Sequence, residues 1–166
     1  MTASRPAAVI ILAAGEGTRM KSTLPKVLHP LCGRSMLGHA IAAAQDLDPE
    51  RLIVVVGHAR DQVGAHATGE APDARIVIQD YQGGTGHAVR SVIETIGLIP
   101  GQVIVTYGDM PLLRADTLNT LVKIAALPME IRGYGPVKKA AAHMVQSRIQ
   151  AMRGANSLFA NPSHGQ

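Results

Sequence analysis

The hydrophobic positions of this chain fall into short, nearly unbroken runs, separated by longer stretches in which apolar residues recur at helical spacing. Ala8–Leu12, Leu52–Val56, Arg75–Ile78 and Val103–Val105 are rich in Val and Ile and lack clean alternation, which predicts buried strands covered on both faces. Met36–Asp46, Ala59–His66, Gly86–Ile96 and Asp116–Ala126 carry the helical pattern. Thr85 stands where an N-cap would precede the third helix, and Asp116 can cap the fourth. Strand and helix therefore alternate, the signature of a parallel, doubly wound α/β sheet. Such sheets bind ligands beyond the carboxyl ends of their strands, where the strand order reverses. The ends to inspect are Ala13–Gly15, Gly57–His58, Gln79–Asp80 and Thr106–Asp109.

The pattern decays after residue 126. Pro128, Gly133, Gly135 and Pro136 break the chain repeatedly; Val137–Met152 reads as a basic helix and Gly154–Gln166 as a loose, polar end. Two parts are expected, residues 1–126 and a basic tail of residues 127–166. Charge draws the same line. The eleven Lys/Arg and eleven Asp/Glu of residues 1–126 cancel, so the whole net charge of +4 lies in the tail. The body has no basic stripe interleaved with aromatics, and no nucleic-acid partner is expected.

Composition narrows the core. Aromatic residues make up 2% of the chain, with no Trp and one Phe, so the interior must be aliphatic. Aliphatic strands under Ala-rich helices suit an α/β sheet better than a β-sandwich. The lone Cys32 allows neither an internal disulfide nor a Cys-based zinc site, and without an activating partner it reads as an inert thiol. The seven His are scattered, which argues against a metal cluster, and His29, His58 and His87 are expected to be structural. The apolar run Ala7–Ala14 is too short to span a bilayer, and a Gly-rich, charged stretch follows it where a signal-peptide cleavage site would lie. No membrane association and a cytoplasmic location are expected.

The chemistry concentrates where the first strand ends. Gly15 and Gly17 let backbone N–H groups approach an anion, and Arg19 and Lys26 can neutralise it. The third glycine of a dinucleotide fingerprint is missing, as is the Gly-Lys-Ser/Thr of a P-loop. A Gly-x-Gly by itself is an ordinary turn; the two cations at this spacing make it a phosphate grip.

The string LAAGEGTRM followed by PKVL resembles the signature of the nucleotidyltransferases that activate sugar phosphates. Its extension through Pro25–Gly33 is similar more narrowly to the N-terminal uridyltransferase domain of the bifunctional bacterial enzymes of UDP-N-acetylglucosamine synthesis. Gln79–Ala88 resembles their nucleobase segment and Tyr107–Leu112 their metal segment, in the right order over residues 7–126. The resemblance implies a Rossmann-like, mainly parallel nucleotidyltransferase sheet, incomplete at its C-terminal side. It implies that backbone groups of Leu12, Ala13, Ala14 and Gly15 and the side chain of Gln79 read uracil, with Gly84 and Thr85 alongside. Arg19 and Lys26 would be catalytic, holding the triphosphate, and Tyr107 and Gly108 would lie on the sugar-phosphate side. Asp109 would ligate Mg²⁺. The implied reaction joins UTP and N-acetylglucosamine-1-phosphate into UDP-N-acetylglucosamine, a cell-wall precursor, with release of pyrophosphate. The family's acceptor-binding segment and its acetyltransferase domain have no counterpart in residues 127–166. Two readings stand open: a shortened or rearranged enzyme with activity far below that of a full-length member, or a nucleotide-binding remnant without turnover. Cytidylyl- and molybdopterin-nucleotide transferases have a similar first loop, but the Pro25–Gly33 string and the Gln79–Ala88 segment argue against both. An incomplete sheet leaves an open edge, so the isolated chain is expected to be marginally stable or to associate as a homo-oligomer.

Overall fold

In the computed structural model, which describes residues 5–17, 20–127 and 135–155, the chain divides into two compact units between Ala115 and Asp116. The first holds a four-stranded parallel sheet of β1 (Ala8–Ala13), β4 (Leu52–Val56), β5 (Arg75–Ile78) and β6 (Val103–Tyr107), in the order β5-β4-β1-β6. Strand β1 is the axis of this sheet. It pairs with β4 on one side, Ile11 opposite Val54, and with β6 on the other, Ile11 opposite Thr106. Both of its faces are covered. Ala8 and Ile10 join Ile53, Val55 and Val77 in a cluster with Ala88 and Val92 of helix α3 (Gly84–Ile96). On the opposite face, Ala13 lies towards Leu37 of helix α1 (Met36–Gln45), and Ile76 lies beside Gly64 of helix α2 (Arg60–Glu70). The sheet is thus wound on both faces, as the alternation of elements predicts.

Burial corrects one expectation. The apolar runs of β1 and β4 are buried, but β5 and β6 are not covered throughout: Ile78, Val103, Val105 and Tyr107 are all exposed. The strand order puts these two strands at the sheet edges. Arg75 opens β5 and Thr106 lies near the end of β6, but the runs Ile76–Ile78 and Val103–Val105 are as apolar as β1 and do not themselves distinguish an edge from a centre.

A small hairpin between β1 and α1 is absent from the sequence reading. Strands β2 (Pro30–Leu31) and β3 (Arg34–Ser35) pair antiparallel across Cys32 and Gly33, whose φ angles are +50° and +83°. Two successive positive φ values match the twist of a two-residue hairpin, and Gly33 adopts one without strain. The hairpin delivers Ser35 to the start of α1, where its Oγ accepts the Gly38 N–H at 2.8 Å. The same oxygen lies 2.7 Å from His66 Nε2 of α2, and Arg34 grips Glu70 Oε2 through Nε at 3.1 Å and an amino group at 2.6 Å. One capping serine therefore joins α1 to α2. It also sets the register of Leu37, the fully buried side chain packed beneath Gly108.

Helix α3 begins at Gly84 rather than Gly86, and no side chain caps it, so Thr85 lies inside the first turn and not at the N-cap. The second unit contains all but the first residue of α4 (Ala115–Ala126), together with α5 (Gly135–Ala155). In α4, Asp116 in the first turn and Lys123 in the last both complement the helix dipole. The basic helix expected over Val137–Met152 is α5, with Lys138 and Lys139 exposed and Val145 buried. The expected loose end beyond residue 155 lies outside the described residues. No helix among the described residues is long and apolar enough to cross a membrane.

Replacing Ser35 removes a helix cap and the partner of His66 in one step. Ser35→Ala is expected to lower the free energy of unfolding by about 1–2 kcal/mol, read from urea denaturation.

Candidate active site

Beyond the carboxyl ends of β1 and β6 the chain encloses a cavity of about 350 Å³. It lies where the strand order reverses, with β4 on one flank of β1 and β6 on the other. The loop leaving β1 supplies Leu12, Ala13, Ala14, Gly15 and Gly17, and its return supplies Met20, Lys26 and Val27. The start of α3 contributes Gly84, Thr85 and Ala88; the end of β6 contributes Tyr107 and Asp109. Among the described residues, the lining is largely small or apolar, with one cation, Lys26, and one anion, Asp109, set in it.

Those two ions face each other. Lys26 Nζ donates to Asp109 Oδ2 at 2.8 Å, and both side chains remain more than a third exposed. Each is held from behind by the chain. Pro25, with its φ of −52°, leads into a single 3-10 turn at Lys26–Leu28, and the buried Val27 anchors that turn. Asp109 follows Gly108, whose N–H donates to Leu12 O at 2.9 Å and so extends the pairing of β6 with β1 by one residue. A side chain at position 108 would meet Leu37 Cδ1 at 3.1 Å, so glycine there keeps the chain low against α1. Gly17 plays the matching part on the other wall. Its φ is +63°, and a Cβ there would come within 2.6 Å of Lys26 Cβ.

The residues singled out in the sequence divide into three groups. Leu12, Ala13, Ala14, Gly15, Lys26, Gly84, Thr85, Tyr107 and Asp109 line the cavity together. Gly108 and Gln79 are buried next to it without lining it. Arg19 lies outside the described residues. The Gln79 amide is occupied by its own loop: Nε2 donates to Gly84 O at 3.2 Å and lies 3.0 Å from His87 Nδ1.

Met20, Val27 and Ala88 enter the lining unannounced, because small and apolar side chains carry no chemical signal. Gln82 is the more informative omission. Its Nε2 donates to Ala14 O at 3.2 Å, so the loop after β5 holds the loop after β1 across 68 residues of sequence. The Gln-Gly-Gly string that contains it was visible, but its partner was not. Among the described residues, no group of three or more His, Cys, Asp or Glu gathers to hold a metal ion.

Residues 9–158 match the model of the MobA-like NTP transferase domain. The chain is 60% identical over 122 residues to the bifunctional protein GlmU of Streptomyces coelicolor, covering 73% of this chain and 25% of that protein. To the bifunctional protein GlmU of Thermobifida fusca it is 48% identical over 165 residues, covering 90% of this chain and 34% of that one. The chain thus spans between a quarter and about a third of the length of these relatives. Among solved structures, Rv0371c of Mycobacterium tuberculosis H37Rv is similar in fold, with a TM-score of 0.60 at 23% identity over 75% of this chain and 62% of that one.

If the cavity grips phosphate, the backbone at Gly17 decides where Lys26 stands. Gly17→Ala places an L-residue in the left-handed region and a methyl against Lys26, and should cost about 1–2 kcal/mol of stability. Pyrophosphate binding, measured by calorimetry, is expected to weaken about tenfold, while the far-ultraviolet dichroism keeps the wild-type shape.

Proposed function

Because the chain belongs to the MobA-like NTP transferase domain family, we propose that it is the nucleotide-binding part of a sugar-1-phosphate uridyltransferase. On this reading the reactants are UTP and N-acetylglucosamine-1-phosphate, and the products are UDP-N-acetylglucosamine and pyrophosphate. The observation that carries the proposal is the Lys26–Asp109 pair, 2.8 Å apart, set in a glycine-lined cavity at the switch point of a parallel sheet. A nucleoside triphosphate with a divalent cation offers each of these ions a new partner of opposite charge. The identity to proteins named GlmU, 60% and 48% in the two cases above, supports the choice of sugar nucleotide.

The Asp109 carboxylate, about a third exposed in the cavity wall, is a hard oxygen donor, and one carboxylate is enough for Mg²⁺ when phosphates and water complete its shell. Bound there, Mg²⁺ would offset the charge of the triphosphate. Lys26 would hold phosphate oxygens and stabilise the charge that builds up during transfer, with Arg19 assigned to the same task from its place in the motif. Backbone groups of Leu12–Gly15 and the Gln79 amide would receive the base. Two carbonyls of that loop are already committed: Leu12 O accepts from Gly108 N–H, and Ala14 O from Gln82 and from His58 N–H at 3.4 Å. Tyr107, half exposed at the end of β6, would face the sugar-phosphate side. Transfer itself needs no covalent intermediate on the protein. An oxygen of the sugar phosphate attacks the α-phosphorus in line and pyrophosphate leaves, so positioning and charge carry the catalysis.

The second reading is nucleotide binding without turnover. It is favoured by the fact that, among the described lining residues given a role, Tyr107 alone is assigned to the sugar-phosphate side.

The test pairs binding with turnover. Calorimetry should show magnesium-dependent binding of UTP, and Asp109→Asn should weaken it about tenfold or more while the thermal unfolding curve is preserved. Unchanged magnesium dependence in the variant would remove Asp109 as the ligand. Pyrophosphate release from UTP and N-acetylglucosamine-1-phosphate then separates the two readings. Tight UTP binding without release would leave the binding-only protein.

A further inference from the structure

The loop between β5 and α3 contains a hydrogen-bond arrangement that the reaction outlined above does not use. Gln79 is 7% exposed, and its Nε2 faces two atoms at once, Gly84 O at 3.2 Å and His87 Nδ1 at 3.0 Å. A backbone carbonyl can only accept a hydrogen bond, so the end of the amide turned towards Gly84 must be the NH₂ group and not Oε1. Its second N–H then meets His87 Nδ1, which accepts as the unprotonated nitrogen of a neutral imidazole. Both amide donors are used within the loop. The carbonyl oxygen Oε1 is what Gln79 has left to offer.

His87 is itself held in place. Its ring lies against Tyr81 with centroids 3.9 Å apart. Gly83 brings the backbone so close that a Cβ there would stand 2.7 Å from His87 Cβ. The imidazole is therefore packed against Tyr81, with the Gly83 backbone close to both rings, within the first turn of α3. A rigid acceptor orients its partner more firmly than a mobile one, because less freedom is lost when the bond forms.

Resting on the reading of Gln79 as a group that meets the base, we infer that His87 is a positioning residue that sets base specificity. By taking the second amide proton of Gln79, it commits that side chain to meet a nucleobase with an acceptor. Uracil carries a hydrogen on N3 and supplies the matching donor. Cytosine carries a lone pair at N3, and two acceptors would then face each other across a buried contact. Without His87 the amide is held only by the bond to Gly84 O. Turning the NH₂ towards cytosine then opposes one acceptor, Gly84 O, instead of two, so the bias against cytosine is reduced.

The experiment compares UTP with CTP by calorimetry, in the presence of magnesium, on the full chain and two variants. His87→Phe keeps a ring against Tyr81 and removes the acceptor; His87→Asn restores an acceptor, Oδ1, close to the position of Nδ1. The wild type should prefer UTP. His87→Phe should cut the ratio of UTP to CTP affinity about tenfold, and His87→Asn should recover most of it. A merely structural His87 would weaken both nucleotides by the same factor and leave the ratio unchanged, which would overturn the inference. Should His87→Phe fail to fold, His87→Leu removes the same acceptor and is judged by the same ratio. A wild type that binds UTP and CTP equally would overturn both this inference and the assignment of Gln79 to uracil. A wild type that prefers UTP, with variants that prefer it as strongly, would overturn the inference alone.

Discussion

The burial of β1 between β4 and β6, with helices on both faces, is the constraint on which the rest of the first unit depends. From Ala8 to Ile11 its side chains are at most 2% exposed. Fully burying a Val or Ile contributes about 1.5–3 kcal/mol, so a run of them in the centre of a sheet anchors the unit. A strand in that position has its backbone groups paired on both sides, and it can only end by leaving the sheet at one edge of the layer. The loop that leaves it, Ala14–Gly17, must therefore emerge at the crevice between the flanking strands. That placement is a consequence of topology, and the cavity is built on it.

Two opposite charges then meet at that crevice from parts of the chain far apart in sequence. Lys26 arrives on a turn fixed by Pro25 and Val27, and Asp109 on the continuation of β6 past Gly108. Their ion pair is partly solvated, and exposed pairs contribute little to stability. Its significance is geometric. The contact holds each ion within reach of the cavity in orientations that a phosphate and a cation could take over. Gly17 and Gly108 serve the same end by leaving out side chains where the backbone has to come close.

A second layer of polar contacts stiffens the wall opposite. Gln82 reaches from the β5–α3 loop to Ala14 O, while Gln79 closes that loop on itself through Gly84 O and His87. No described side-chain nitrogen or oxygen is buried without a partner. Amides satisfied in this way fix one conformation, because turning either would leave an acceptor facing an acceptor. The loop at the cavity is thus preorganised by residues that stand behind it.

Much of this was legible in the order of residues alone. The period of the apolar runs gave the strands and helices to within a few residues, since local burial pattern and helix propensity act over short stretches. The glycines, Lys26 and Asp109 stood out in the order of residues, and the fold brings Lys26 and Asp109 together in one cavity. The sequence could not say which apolar strands lie at the edge. The exposure of Val103 and Val105 follows from the order β5-β4-β1-β6, and strand order is decided by the packing of all elements together. Nor could it foresee the hairpin at Cys32 and Gly33, where two residues per strand are too few to show a period. The partners of Gln79, Gln82 and Ser35 were likewise hidden. A hydrogen bond depends on distance and angle between groups that only the folded chain brings together, and an amide or hydroxyl in a sequence carries no mark of the atom it will meet.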